Sequence, residues 1–137
     1  MREILFKAKR VDNGEWVVGQ YVNTCYPGND KETGHFIAVY PNEYHEIYTS
    51  TICQFTGLCD KNGNKIWEND IVTCQTKYGG DIGKIVFHNG KFCVLWNSTY
   101  HYSRNGKCEN YYDINTKNSV KGNVFDNPEL LQEESDE

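Results

Sequence analysis

The segment Gly83 to Trp96, GKIVFHNGKFCVLW, leaves its backbone very little choice. Asn89 and Gly90 are residue types that tolerate positive φ side by side, as a two-residue type I′ turn requires, and the twist of that turn matches the twist of paired strands. On either side apolar residues alternate, so Ile85 and Phe87 on one strand are set to face Phe92 and Val94 on the other. A chain that contains this segment holds a β-hairpin. Whatever else it forms must continue or cover that sheet.

Asn62-Gly63 repeats the signal inside DKNGNKIWEND, residues 60–70, and there a second chemistry competes. Asp60, Asn62 and Asn64 fill the first three ligand positions of an EF-hand loop. The loop then demands glycine at its sixth position and a bidentate acid at its twelfth, and the chain offers Lys65 and Ile71. Without the bend and the strongest ligand, the segment lacks the charge to dehydrate calcium. The turn reading needs no such exceptions: Leu58 on one side, Ile66 and Trp67 on the other, suit half-buried strands. A type I′ turn is therefore expected at 62–63, and no metal site.

The remaining composition agrees with β structure. Ten Tyr, six Phe and three Trp are distributed in short runs punctuated by twelve Gly and only three Pro. A chain of 137 residues is ordinarily one domain with a real core. No apolar run is long enough to cross a bilayer, and MREILFKAKR has too short an apolar patch for an export signal, so a cytoplasmic protein with no membrane partner is expected. The net charge of −5 is unevenly placed. DNPELLQEESDE, residues 126–137, carries six acids and no base, and the rest of the chain is near neutral. The six cysteines form no C-x-x-C pair, and they alternate with apolar neighbours in KFCVLW and IVTCQ, as small strand residues do. Free thiols are predicted, with no cofactor.

Along the chain, EILFKAKR sets Ile4, Phe6 and Ala8 against Glu3, Lys7 and Lys9, and reads as a strand. A turn at VDNGEW joins it to WVVGQYV, which places Trp16, Val18 and Val22 on one face of a partner strand. Residues 24–35 read as loop, FIAVY as a short strand, and STICQFTGL and NDIVTCQ as strands flanking the central turn. YGGDIG reads as loop, residues 97–119 as a long polar, tyrosine-rich excursion, and VKGNVF as a last strand. In the ending, Asn127 is placed to cap a short helical turn with Pro128 and Glu129 at its start. The expected fold is mostly β: bent, branching antiparallel sheets, barrel-like, with little helix. One domain spans 1–131, divisible into lobes at 1–50 and 51–131, and 132–137 form an acidic tail.

Three blocks, REILFKAKR, TGLCDKNGNKIWENDIV and VKGNVFDNPELL, together resemble the YopX family, small proteins encoded by bacteriophages and by prophages of Gram-positive bacteria. The resemblance implies bent, branching β-sheets and a phage accessory protein of undefined activity, for which nucleic-acid binding has been suggested on structural grounds. Two positions depart from the family pattern. Phe6-Lys7-Ala8-Lys9-Arg10 stands where the family usually carries an aromatic and an acid, and Asn69 stands where a glycine commonly precedes DIV. Asn is the non-glycine residue most at ease at positive φ, so a left-handed turn at Asn69 is expected, with Asp70 aimed at backbone donors. On this reading Thr56, Gly57, Asp60, Gly63 and Asp70 shape backbone and carry no chemistry.

Three classes of function compete. An enzyme needs a constellation, and the histidines at 35, 45, 88 and 101 are scattered, with no glycine-rich phosphate loop. A thiol of Cys93 or Cys108 meeting a histidine in space is the one catalytic alternative, and no catalytic residue is assigned. Nucleic-acid binding rests on Arg2, Lys7, Lys9 and Arg10, four bases in ten residues, with Phe6 and Trp16 near in sequence. The competing view is a strand whose solvent face carries bases that guard a sheet edge. Protein binding rests on TYHYSRNGKCENYYD, where Tyr100, Tyr102, Tyr111 and Tyr112 have the side-chain type favoured at interfaces. The partner is a host or phage protein, or a second copy of the chain. A non-enzymatic binding module is the expectation, its partner left open.

Overall fold

The computed structural model describes residues 3–26, 28–76, 79–96 and 111–131. Among these described residues, eleven strands and two short 3-10 turns follow one another: β1 (Phe6–Lys9), β2 (Trp16–Tyr26), β3 (Asn29–Val39), β4 (Glu43–Glu46), a turn at Thr49–Thr51, β5 (Cys53–Cys59), β6 (Lys65–Trp67), β7 (Asp70–Thr76), β8 (Gly79–His88), β9 (Lys91–Trp96), β10 (Tyr111–Asp113), β11 (Ser119–Asn123) and a turn at Pro128–Leu131. They form two open antiparallel sheets, ordered β4-β3-β2-β1-β5-β6 and β10-β9-β8-β7-β11. The chain divides into two compact units, 1–57 and 58–137. No helix among the described residues is long and apolar enough to cross a membrane.

In the first unit β1 pairs with β2 from Phe6↔Gly19 to Lys9↔Trp16, and with β5 at Phe6↔Gln54 and Lys7↔Cys53. Alternation then sorts the side chains. Ala8 is fully buried in a cluster with Ile37 and Ile47, flanked by Phe6, Val17 and Tyr21, while Lys7, Lys9 and Trp16 take the opposite face.

Of the polar stretch 24–35, expected as loop, the described residues 24–26 and 29–35 are instead the paired ends of two long strands. β2 and β3 stay in register from Gln20↔Ala38 to Cys25↔Thr33, then shift to Tyr26↔Asn29. Cross-strand contacts supply what alternation lacks there. The Tyr26 ring meets Phe36 edge-on at 5.5 Å, and its hydroxyl donates to Glu46 Oε1 at 3.3 Å.

In the second unit Ile66, Val72, Ile85, Val94 and Trp96 form the core. The β8–β9 register is the one the sequence predicts, Ile85↔Val94 and Phe87↔Phe92, closed by Asn89 (φ 51°) and Gly90 (φ 80°). Of YGGDIG, expected as loop, Gly79 to Gly83 belong to β8, and Tyr78 lies outside the described residues. Gly83 lies opposite Trp96, where an added Cβ would stand 2.9 Å from the indole and 2.7 Å from the Leu95 carbonyl oxygen. The missing side chain makes room for the tryptophan, so glycine here is a packing device and not a breaker.

The excursion expected over 97–119 contains β10, which pairs Tyr111↔Leu95 and Asp113↔Cys93; residues 97–110 lie outside the described set. At the chain end Asn127 does not cap the following turn with its side chain. Its Oδ1 accepts from the Asn123 N–H at 3.2 Å and ties the turn back to β11.

Candidate functional site

The central motif is built around Asp60, which is 5% exposed. Its Oδ1 accepts from the N–H groups of Asn62 and Asn64, both at 2.9 Å, and its Oδ2 from Asn64 Nδ2 at 3.2 Å and the Val120 N–H at 2.9 Å. Burial pushes this carboxyl up, but the donors on Val120, Asn64 and Asn62 outweigh it and bring its pKa down to about 2. The turn is not type I′: only Gly63 has positive φ, at 82°. Gly63 N–H donates to the Asp60 carbonyl at 3.0 Å, and Asp60 N–H to the Asn64 carbonyl at 2.8 Å, the pattern of a type I turn closed by a left-handed glycine. The carboxylate that suggested calcium selects this turn by binding two of its backbone donors.

The strand entry follows the same logic. Asn69 has φ 71°, and Asp70 Oδ2 accepts from the Trp67 N–H at 2.8 Å. Both features match the expectation. Among the described residues, no group of three metal-ligating side chains converges.

The basic segment is divided by the structure. Lys7 Nζ lies 4.7 Å and Lys9 Nζ 5.4 Å from the Trp16 ring centroid, so both ammonium groups sit on one indole. Arg10 turns instead to Asp12, with Nε 2.9 Å from Oδ1 and Nη2 2.6 Å from Oδ2. That bidentate contact is the main reason the Asp12 carboxyl falls below its usual value. Arg2 lies outside the described residues. Lys7 and Lys9 are therefore brought together with Trp16, and Arg10 is not. Nor does β1 form a sheet edge, as the protective reading of its bases requires, because it lies between β2 and β5.

Of the four interface tyrosines, Tyr100 and Tyr102 lie outside the described residues. Tyr111 and Tyr112 are 44% and 41% exposed on β10, at one edge of the second sheet, and Tyr111 stacks on His88 at 3.8 Å. The catalytic alternative finds Cys93 buried, its thiol pushed up by that burial and so protonated at neutral pH, the wrong form for a nucleophile. Cys108 lies outside the described residues. His35 bonds the Tyr21 hydroxyl, and His45 pairs with Glu43 at 3.1 Å.

One feature had no sequence forerunner. A cavity of about 310 Å³ in the second unit is lined by Lys61, Lys117 and Lys121 with Asn118, Thr73 and Ser119. No spacing rule joins Lys61 to residues almost sixty positions away. The only local hint is the pair of lysines either side of Asn118-Ser119-Val120.

A family model described as YopX protein matches residues 5–132. The chain belongs to the YopX family. Among solved structures, the crystal structure of protein EF1440 from Enterococcus faecalis is similar over 96% of this chain and 100% of that one, with a TM-score of 0.50 and 21% sequence identity. That likeness concerns the fold alone. No curated protein matches the sequence. The Asp60 turn and the Asn69–Asp70 strand entry both lie within the matched residues. In this YopX-family chain those residues organise backbone, and surface chemistry has to be sought elsewhere.

Proposed function

We propose that this YopX-family chain is a non-enzymatic binding module of a bacteriophage or prophage, working in the host cytoplasm, and that its partner is single-stranded nucleic acid. The observation that carries the reading is the placement of Lys7 and Lys9 over Trp16 on an interior strand of the first sheet. An interior strand gains no protection from lysines, which removes the usual structural reason for them. Val18, opposite Lys7 in register and 43% exposed, extends the apolar part of the same face. A base stacking on the indole displaces the ammonium groups toward the phosphates on either side of it.

The test is fluorescence anisotropy with labelled single- and double-stranded oligonucleotides across a salt series. Two or three phosphate contacts predict a log–log salt slope of about −1.4 to −2 for a single strand. Trp16→Ala and the pair Lys7→Glu/Lys9→Glu should each abolish binding. Undetectable or salt-insensitive binding to both kinds of strand removes the proposal.

A second reading, self-association or protein binding through the second sheet, is favoured by three exposed aromatics on its strands, Tyr111 and Tyr112 on β10 and Phe87, 57% exposed, on β8. Sedimentation at several concentrations decides it. A strict monomer counts against self-association.

A further inference from the structure

We propose that the cavity between the Asp60 turn and the start of β11 is a binding site for a phosphate group, independent of the face around Trp16. Among its lining residues is Asn118, 2% exposed, whose backbone is fully engaged: its N–H donates to the Asn115 carbonyl at 2.9 Å, and its carbonyl accepts from the Lys61 N–H at 3.2 Å. The side-chain Nδ2 has no acceptor among the described residues. A buried amide donor left open forfeits about 1–3 kcal/mol unless something outside the protein satisfies it.

The walls point to the charge of that missing acceptor. Lys61, Lys117 and Lys121 line the cavity, no acid is among its described lining residues, and none of the three lysines forms an ion pair with another described residue. The carboxylate of Asp60, next to Lys61 in the chain, is turned to Asn62, Asn64 and Val120. Thr73 and Ser119, cross-strand partners, add two hydroxyls. Three compact ammonium charges with amide and hydroxyl donors suit a multiply charged tetrahedral oxyanion, whereas planar carboxylates are better matched by the guanidinium fork of arginine. A volume of about 310 Å³ takes a phosphate group together with several waters at about 30 Å³ each.

That phosphate has two sources, a small molecule or the end of a nucleic-acid strand. NMR of the full-length chain distinguishes them, following the Asn118 side-chain amide and the Lys121 backbone amide at constant ionic strength. The probes are inorganic phosphate, a short 5′-phosphorylated oligothymidylate and the same oligonucleotide with a 5′-hydroxyl. Saturable shifts with inorganic phosphate identify a small-molecule site. Shifts confined to the 5′-phosphorylated strand identify a strand end. In either case Lys61→Gln/Lys117→Gln/Lys121→Gln, which alters only exposed side chains, should weaken binding about tenfold or more, and Asn118→Asp should remove it. No saturable shift at Asn118 with any probe, equal shifts with both oligonucleotides and none with inorganic phosphate, or shifts unchanged in the triple-lysine variant overturn the proposal. Loss of strand binding at Trp16 leaves it standing.

Discussion

Asp60 Oδ2 accepts a hydrogen bond from the Val120 N–H at 2.9 Å, across sixty residues of chain. The same carboxylate holds Asn62 and Asn64, so a single side chain closes the central turn and fastens β11 beside it. Asp60→Ala leaves three backbone donors without their acceptor and should cost about 3 kcal/mol. Asp60→Asn keeps one oxygen acceptor and should cost about half as much. Urea unfolding checks this: the midpoint should fall with little change in slope. A midpoint within error of the parent for Asp60→Ala would falsify the assignment.

The same carboxyl predicts an acid dependence. With a pKa of about 2 in the folded chain against an ordinary 3.8, folding favours its ionised form. Its contribution is fully present above the unfolded value and fades as pH falls toward the folded one. The stability difference between the parent and Asp60→Asn should therefore hold steady near neutrality and shrink from about pH 4 to about pH 2. A difference that stays constant through that window rules out a charged Asp60 as the origin of the effect.

Two glycines should respond differently to alanine. At Gly83 a Cβ meets the Leu95 carbonyl oxygen and the Trp96 ring, and neither can move without disturbing the sheet or core, so about 2–3 kcal/mol should be lost. At Gly90 nothing lies within 4 Å, and only the left-handed φ of 80° is strained, for about 1 kcal/mol. Thermal unfolding should rank Gly83→Ala below Gly90→Ala, and the reverse order would show that turn strain outweighs packing here.

These cases also show which parts of the fold were legible in the sequence. Asn89-Gly90 could be read because both residues are specialised for one backbone state and their flanks alternate. At Asn62-Gly63 the same dipeptide misled, because the nearby Asp60 carboxylate stabilises a different turn by binding its donors. The hairpin over 24–35 was hidden because most of its side chains meet solvent on both faces, so no period-two pattern marks it. Lys7, Lys9 and Trp16 were visible as a basic, aromatic segment, but their stacking and the separate pairing of Arg10 with Asp12 depend on register and turn geometry. The lysine cavity was out of reach, since the Asp60–Val120 and Lys61–Asn118 links and the β7–β11 pairing bring its parts together from distant stretches of chain.

The β8–β9 hairpin offers a last, internal test. Ile85 and Phe87 point to the same side of β8, yet Ile85 is fully buried and Phe87 is 57% exposed. That face passes from core to solvent within one alternation. Ile85→Ala should cost about 2–5 kcal/mol, the range for emptying a packed aliphatic site. Phe87→Ala removes mainly the edge-on contact with Phe92 at 5.1 Å and should cost about 1 kcal/mol. Chemical unfolding at low and high protein concentration measures both. If Phe87→Ala loses as much as Ile85→Ala, and the loss grows with concentration, then Phe87 is covered by a second copy of the chain, because only an assembled state makes stability depend on protein concentration.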